Sequence, residues 1–157
     1  MERKCLLAIR IRGGINVPHR QEDTLRMLRI DRNMTATVLD DRAEYAGMLQ
    51  HAKDYITWGE PTLETLSLLL KKRGRRVGDH PIEEGALGDL GYESFDSLAK
   101  AILEGEVEFG KLEGVKPFFR LHPPSKGFKR SVKRPYNDRG ELGYRGEAIN
   151  ELAKRMA

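Results

Sequence analysis

Within its first sixty residues the chain switches hydrophobic period four times, and this restricts the available folds more than any other feature. Cys5, Leu7, Ile9 and Ile11 recur at every second position, with Arg10 and Arg12 on the opposite face of the same strand. Gly13-Gly14 ends it. Pro18 stands where a helix can begin, with Glu22 and Asp23 near its positive end. Leu25, Leu28 and Met27 are its inward positions, and Asp31-Arg-Asn33 turns the chain. Met34–Leu39 is a second strand with Met34, Ala36 and Val38 on one face and Thr35 and Thr37 on the other. Asp41 and Glu44 have capping-box spacing, and Tyr45, Met48, Leu49 and Ala52 then follow a helical period. Tyr55–Trp58 is a third strand, closed by Gly59 and Pro61. Strand, helix, strand, helix, strand packs naturally as a small sheet with both helices on one face, an α+β layer pair.

The second part of the chain reads as mainly helical. Thr62 caps a helix whose stripe is Leu63, Leu66, Leu69 and Leu70. It closes on Lys71-Lys-Arg73 and Gly74, cations at the negative end with glycine beyond. The Arg73–Arg76 cluster has that capping explanation, and RNA contact is the alternative. After a turn-rich passage over Asp79–Gly91, Ser94 caps Phe95–Glu104, with Phe95, Leu98, Ala99, Ile102 and Leu103 inward. Glu106–Phe109 reads as a short extended piece. Ala148, Ile149, Leu152 and Met156 make Glu147–Met156 an amphipathic closing helix.

Charge is concentrated between Lys116 and Arg145. That stretch holds nine Lys/Arg against two acids, Asp138 and Glu141, while the rest of the chain holds 19 against 22. Its cations are Lys116, Arg120, Lys126, Lys129, Arg130, Lys133, Arg134, Arg139 and Arg145, with His122 among them. Phe118, Phe119, Phe128, Tyr136 and Tyr144 lie between the charges. Cations that neutralise phosphate, interleaved with rings that stack, are the ingredients of RNA contact. Pro117, Pro123, Pro124 and Pro135 oppose helix and central strand. Phe118–His122 alternates as an edge strand, and the rest reads as a loop-rich segment mobile until RNA orders it. With so few periodic apolar residues there, a chain cut after Gly114 is expected still to fold. Arg10 and Arg12 add two cations ~6.5–7 Å apart along a strand, near the spacing of backbone phosphates.

Several classes fit poorly. One cysteine, Cys5, leaves no internal disulfide or cysteine-based zinc site, and His19, His51, His80 and His122 lack ligand spacing. The apolar run Leu66–Leu70 is too short to span a bilayer, and the run after Met1–Lys4 is broken by Arg10 and Arg12, unlike a signal peptide. Gly105–Lys111 has phosphate-loop spacing, but Leu112 stands where a magnesium-holding hydroxyl belongs, and Glu106 and Glu108 would repel phosphate. No nucleophile sits with a base and an orienting acid. The expectation is a cytoplasmic, non-enzymatic protein with no cofactor, metal, membrane or small-molecule substrate.

Residues 5–61 resemble the universal large-subunit ribosomal protein L-thirty family. The resemblance lies in Ile9-Arg-Ile-Arg-Gly13, Thr24-Leu-Arg-Met-Leu-Arg-Ile30, Gly47-Met48 and Tyr55-Ile-Thr-Trp-Gly-Glu-Pro61. Arg120-Leu-His-Pro-Pro124 and the glycine and basic residues after it are similar to the longer archaeal form. The long basic N-terminal extension of eukaryotic relatives is not seen. The resemblance implies a ferredoxin-like core over residues 1–60, a three-stranded sheet with two helices on one face. It implies an archaeal-type C-terminal subdomain over 61–157, containing the basic segment 116–145. It implies a structural constituent of the large ribosomal subunit, with ribosomal RNA and neighbouring ribosomal proteins as partners. Carried over by residue, the family's RNA contacts fall on Arg10, Arg12, Gly13, His19 and Arg20, then Arg29 and Arg32 after the first helix. Two other classes remain: an RNA-binding regulator outside the ribosome on the same fold, and an enzyme acting on a phosphate-bearing substrate.

Overall fold

The structure, a computed structural model, describes residues 5–13, 15–40, 42–112 and 114–157. Met1–Lys4, Gly14 at the strand end and the expected Asp41 cap lie outside the described residues. Strand β1 (Cys5–Arg10) leads into α1 (His19–Met27), β2 (Thr35–Asp40), α2 (Ala43–His51) and β3 (Ile56–Gly59). β1 pairs antiparallel with β2 on one side and β3 on the other, with Ile9 opposite both Ala36 and Thr57. Leu6, Ala8, Ile56 and Trp58 pack on Leu25 of α1 and Leu28 at its C-terminal end, and on Leu49 of α2 and Ala52 at its C-terminal end. The expected α+β, ferredoxin-like unit is therefore present, with both helices on one face. Met27 is an exception, 64% exposed on the outer side of α1.

The other face of β1 has a second helical layer. Helix α3 (Leu63–Arg73) is followed by the short ribbon β4 (Arg75–Arg76) and β5 (His80–Pro81), then α4 (Glu84–Asp89) and α5 (Phe95–Leu103). Thr62 Oγ1 and Ser94 Oγ accept from Thr65 N and Ser97 N, the two caps read from sequence. Gly74 adopts an extended conformation, not a left-handed cap, and its requirement is closeness: a Cβ there would press on the Leu70 carbonyl. Glu106–Phe109 is not a strand. Phe109 starts a 3-10 turn and stacks on Phe119, with centroids 4.8 Å apart.

The remainder of the chain extends the sheet. β6 (Phe119–Arg120) adds antiparallel to β2, and β8 (Gly140–Tyr144) adds parallel to β3, with β7 (Ser131–Pro135) outside it. The order is β6-β2-β1-β3-β8-β7; beyond the three core strands and the edge strand expected over Phe118–His122, found here as β6, it includes β7 and β8 among the described residues. Helix α6 (Ile149–Met156) then closes the second layer. One apolar cluster joins Cys5, Leu7 and Ile9 of β1 to Leu66 and Leu69 of α3, Leu98 and Ile102 of α5, Phe119, Leu142, and Ile149, Leu152 and Met156 of α6. The core thus runs unbroken across residue 60. Leu63 is the outlier of its expected stripe, 40% exposed.

Candidate nucleic-acid interface

The register of the sheet gathers several loops at one end. Arg10 at the C-terminus of β1 lies opposite Ile56, Thr35 lies opposite Arg120, and β8 runs parallel to β3 with Thr57 opposite Gly143. The loops after β1, before β2, before β3, after β6 and before β8 therefore share that end. It carries Arg12, Gly13, Arg29, Arg32, Arg120, Lys126, Lys129, Arg130 and Arg139, all exposed except the half-buried Arg12. His19 and Arg20 are exposed at the start of α1, and His19 Nε2 lies 3.3 Å from Asp23 Oδ2. Lys133 and Arg134 are exposed on the edge strand β7. Charges and Pro135 on an edge also discourage pairing with a foreign strand.

Aromatic rings steady several of these cations. The Arg12 guanidinium lies 5.3 Å from the centre of the Tyr55 ring and donates to the Asp54 carbonyl at 3.0 Å. Arg130 lies 5.1 Å over Tyr136. Arg29 has φ 67° and donates to the Gly110 carbonyl at 3.1 Å. Lys129 Nζ contacts Glu151 Oε1 at 3.1 Å, which holds the Glu151 carboxyl below its usual pKa. A guanidinium parked on a ring can still donate hydrogen bonds at its edge, the arrangement a phosphate requires.

Three expected contact residues point elsewhere. Arg10 was read as outward-facing, yet it is 1% exposed. Its Nε donates to the Arg12 carbonyl at 2.8 Å, and its Nη1 to the carbonyls of Ile30 at 3.2 Å and Asp31 at 2.6 Å. Burial pushes its pKa down, with Asp31, Glu22 and Tyr55 pulling it back. Arg145 is 8% exposed, with its Nε on Thr57 Oγ1 and its Nη2 2.7 Å from Glu141 Oε2. Glu141 Oε1 in turn accepts from Arg130 N at 3.0 Å. These guanidiniums brace the end of the sheet from inside and are not part of its exposed charge. His122, half-buried, has its ring nitrogens against the carbonyls of Pro123 and Ala157 at 2.6 and 2.7 Å, and so also faces the protein.

Sequence reasoning did not single out a cleft beside α3. Arg73, Arg75, Asp79, Lys116, Phe118 and Arg120 enclose about 170 Å³ there. A recess of about 130 Å³ between β2 and the 105–111 turn includes Asp40 and Glu108, but Arg42 bonds both. Among the described residues no group of His, Cys, Asp or Glu could hold a metal ion. No helix among them is long and apolar enough to cross a membrane.

The sequence model of the family described as Ribosomal protein L30p/L7e matches residues 6–56. That span is β1 through the start of β3. Similarity to curated proteins extends much further. A protein of Staphylothermus marinus named large ribosomal subunit protein uL30 is 51% identical over 154 residues, covering 94% of this chain and 95% of the relative. The chain belongs to the uL30 family. Proteins of the same name from Methanopyrus kandleri and Ignicoccus hospitalis are 45% and 46% identical, covering 93% and 99% of this chain. The uL30 similarity therefore includes β6–β8 and α6 as well as the matched core, in keeping with one sheet and one continuous core.

Proposed function

We propose that this chain is a structural constituent of the large ribosomal subunit, working in the cytoplasm and holding ribosomal RNA against the basic end of its sheet. The observation that carries the reading is 46–51% identity, over nearly the full length, to proteins named large ribosomal subunit protein uL30. The charge geometry supports it. Cations from four loops meet at one end, so several phosphates of one RNA can be neutralised together. Arg12, Arg20, Arg29, Arg32, Lys126, Lys129, Arg130, Lys133, Arg134 and Arg139 are the residues assigned to that contact, with Gly13 and His19 beside them. Arg10 and Arg145 act behind them, fixing the loops. Other ribosomal proteins are the expected neighbours. The role is structural, not catalytic, as family membership implies.

The test is salt-titrated binding of the full-length protein to large-subunit ribosomal RNA. Each neutralised phosphate contributes about 0.7–0.9 to the slope of log affinity against log salt. Lys133→Gln with Arg134→Gln is expected to lower that slope by roughly 1.5 while leaving the melting transition in place. Co-sedimentation with large subunits through a high-salt wash checks the cellular role. A protein that binds RNA but washes off the subunit would instead be a regulator outside the ribosome.

A further inference from the structure

The cleft beside the C-terminal end of α3 sets four cations, Arg73, Arg75, Lys116 and Arg120, against one carboxylate, Asp79. That carboxylate is engaged, since Lys116 Nζ lies 3.4 Å from Asp79 Oδ1. Its volume, about 170 Å³, is many times the ~10–15 Å³ one water needs. The alternation of β6 builds one wall. Phe119 is fully buried, while Phe118 and Arg120 on either side of it line the cleft. The Arg120 guanidinium lies 5.4 Å from the centre of the half-buried Phe118 ring, and Lys116 Nζ 6.0 Å from it.

Helix capping accounts for part of this cluster. Arg75 Nη1 donates to the carbonyls of Lys72 and Gly74 at 3.3 and 2.9 Å, which serves the negative end of α3. Capping does not explain why Lys116, Phe118 and Arg120, more than forty residues later, converge on the same place. It also leaves Arg73 Nε buried with no acceptor among the described residues.

We propose that this cleft holds one unpaired nucleotide of RNA, its phosphate among Arg73, Arg75 and Lys116 and its base against Phe118 and Arg120. The proposal rests on the ribosomal-RNA reading and deepens it. A duplex keeps its bases stacked inside, whereas a recess with cations around one half-buried ring suits a nucleotide that has left the stack. Every base has a π face, so the site would take any of the four with weak preference. An anionic oxygen drawing the Arg73 guanidinium into the cleft would give its Nε an acceptor. The site adjoins the basic end, because Arg120 pairs with Thr35 there. An RNA lying on that end reaches the cleft by crossing the edge strand β6.

The experiment uses full-length protein and large-subunit ribosomal RNA carrying 4-thiouridine, with photocrosslinks mapped by mass spectrometry. A crosslink within Lys116–Arg120 is expected. Phe118→Leu should lose it and bind about ten-fold more weakly, and Arg73→Gln with Arg75→Gln should lower the salt slope by about 1. Arg120→Gln, at an exposed position, serves as a second reading should Phe118→Leu melt early. If the wild-type protein does not bind the RNA, the ribosomal reading and this one both fall. If it binds and these variants match it in affinity, slope and crosslinks, the cleft proposal alone is overturned. It is overturned as well if polyglutamate protects the cleft from the crosslink as effectively as oligouridine.

Discussion

Arg10 and Arg145 are cations whose neighbours in sequence suggest a surface and whose partners in space hold them inside. Arg10 ties the loop before β2 to the end of β1 through three carbonyls. Hydrogen bonds from a charged group are worth about 1.5–3 kcal/mol, so Arg10→Ala is expected to lower unfolding free energy by roughly that amount in urea titration. Arg10→Lys should recover little, because an ammonium cannot reproduce the planar fork. For Arg145 the stake is greater, since Arg145→Ala strands Glu141, itself 3% exposed, at a cost of about 3–5 kcal/mol. A midpoint unchanged in Arg145→Ala would show that water reaches the pair. Cys5 provides a pH test. Burial, with Asp40 adding to it, pushes its thiol from 9.0 up to about 12. Below about pH 9 folded and unfolded chains both keep the proton; above it only the folded chain does, until about pH 12. Stability should therefore fall with rising pH across that window by about 1.4 kcal/mol per unit from this group. Denaturation midpoints of wild type and Cys5→Ala between pH 8 and 10, a range that spans the lower edge of that window, would show the difference in slope.

At the scale of elements, the first three strands, their two helices and the two side-chain caps were legible, because each rests on local period or local chemistry. The second face of β1 was less so. Cys5-Leu-Leu-Ala-Ile9 is a continuous apolar run, the mark of a strand covered on both sides; reading it as an alternation placed Arg10 on an open face. β8 was missed for a related reason. It has Gly140, Glu141 and Gly143 in five residues, and its place beside β3 depends on partners far away in sequence. Gly59 shows the closeness involved, since a Cβ there would collide with the Gly146 carbonyl. The charged segment is thus part scaffold, and the expectation that a chain cut after Gly114 still folds is reversed. The cut would remove Phe119, Leu142, Ile149, Leu152 and Met156, all buried in the shared cluster. Such a fragment should lack a cooperative melting transition. In the free full-length protein, amide exchange should be slow over 140–144 and fast over 126–138, where exposed residues dominate. Fast exchange in β8 would put the mobile-segment reading back in force.

At the scale of the whole molecule, the net charge of +4 understates the field, because five cations of 116–145 (Arg120, Lys126, Lys129, Arg130 and Arg139) share one end with Arg12, Arg29 and Arg32. Without RNA these cations repel one another, and added salt screens that repulsion over about 10 Å at 0.1 M. The opposing loss, from screened pairs such as Lys129–Glu151 and Lys154–Glu64, is small because exposed ion pairs are worth about 0–1 kcal/mol each. The free protein should therefore melt at a higher temperature as salt rises from tens to hundreds of millimolar. Bound RNA inverts the sign. A ligand that binds only the folded state stabilises it in proportion to the logarithm of its affinity, and that affinity falls steeply with salt. The complex should start well above the free protein at low salt and converge on it as salt increases. Melting curves of both species across one salt series decide the matter. Flat, parallel lines for the two would mean that the clustered charge contributes neither to self-repulsion nor to RNA binding.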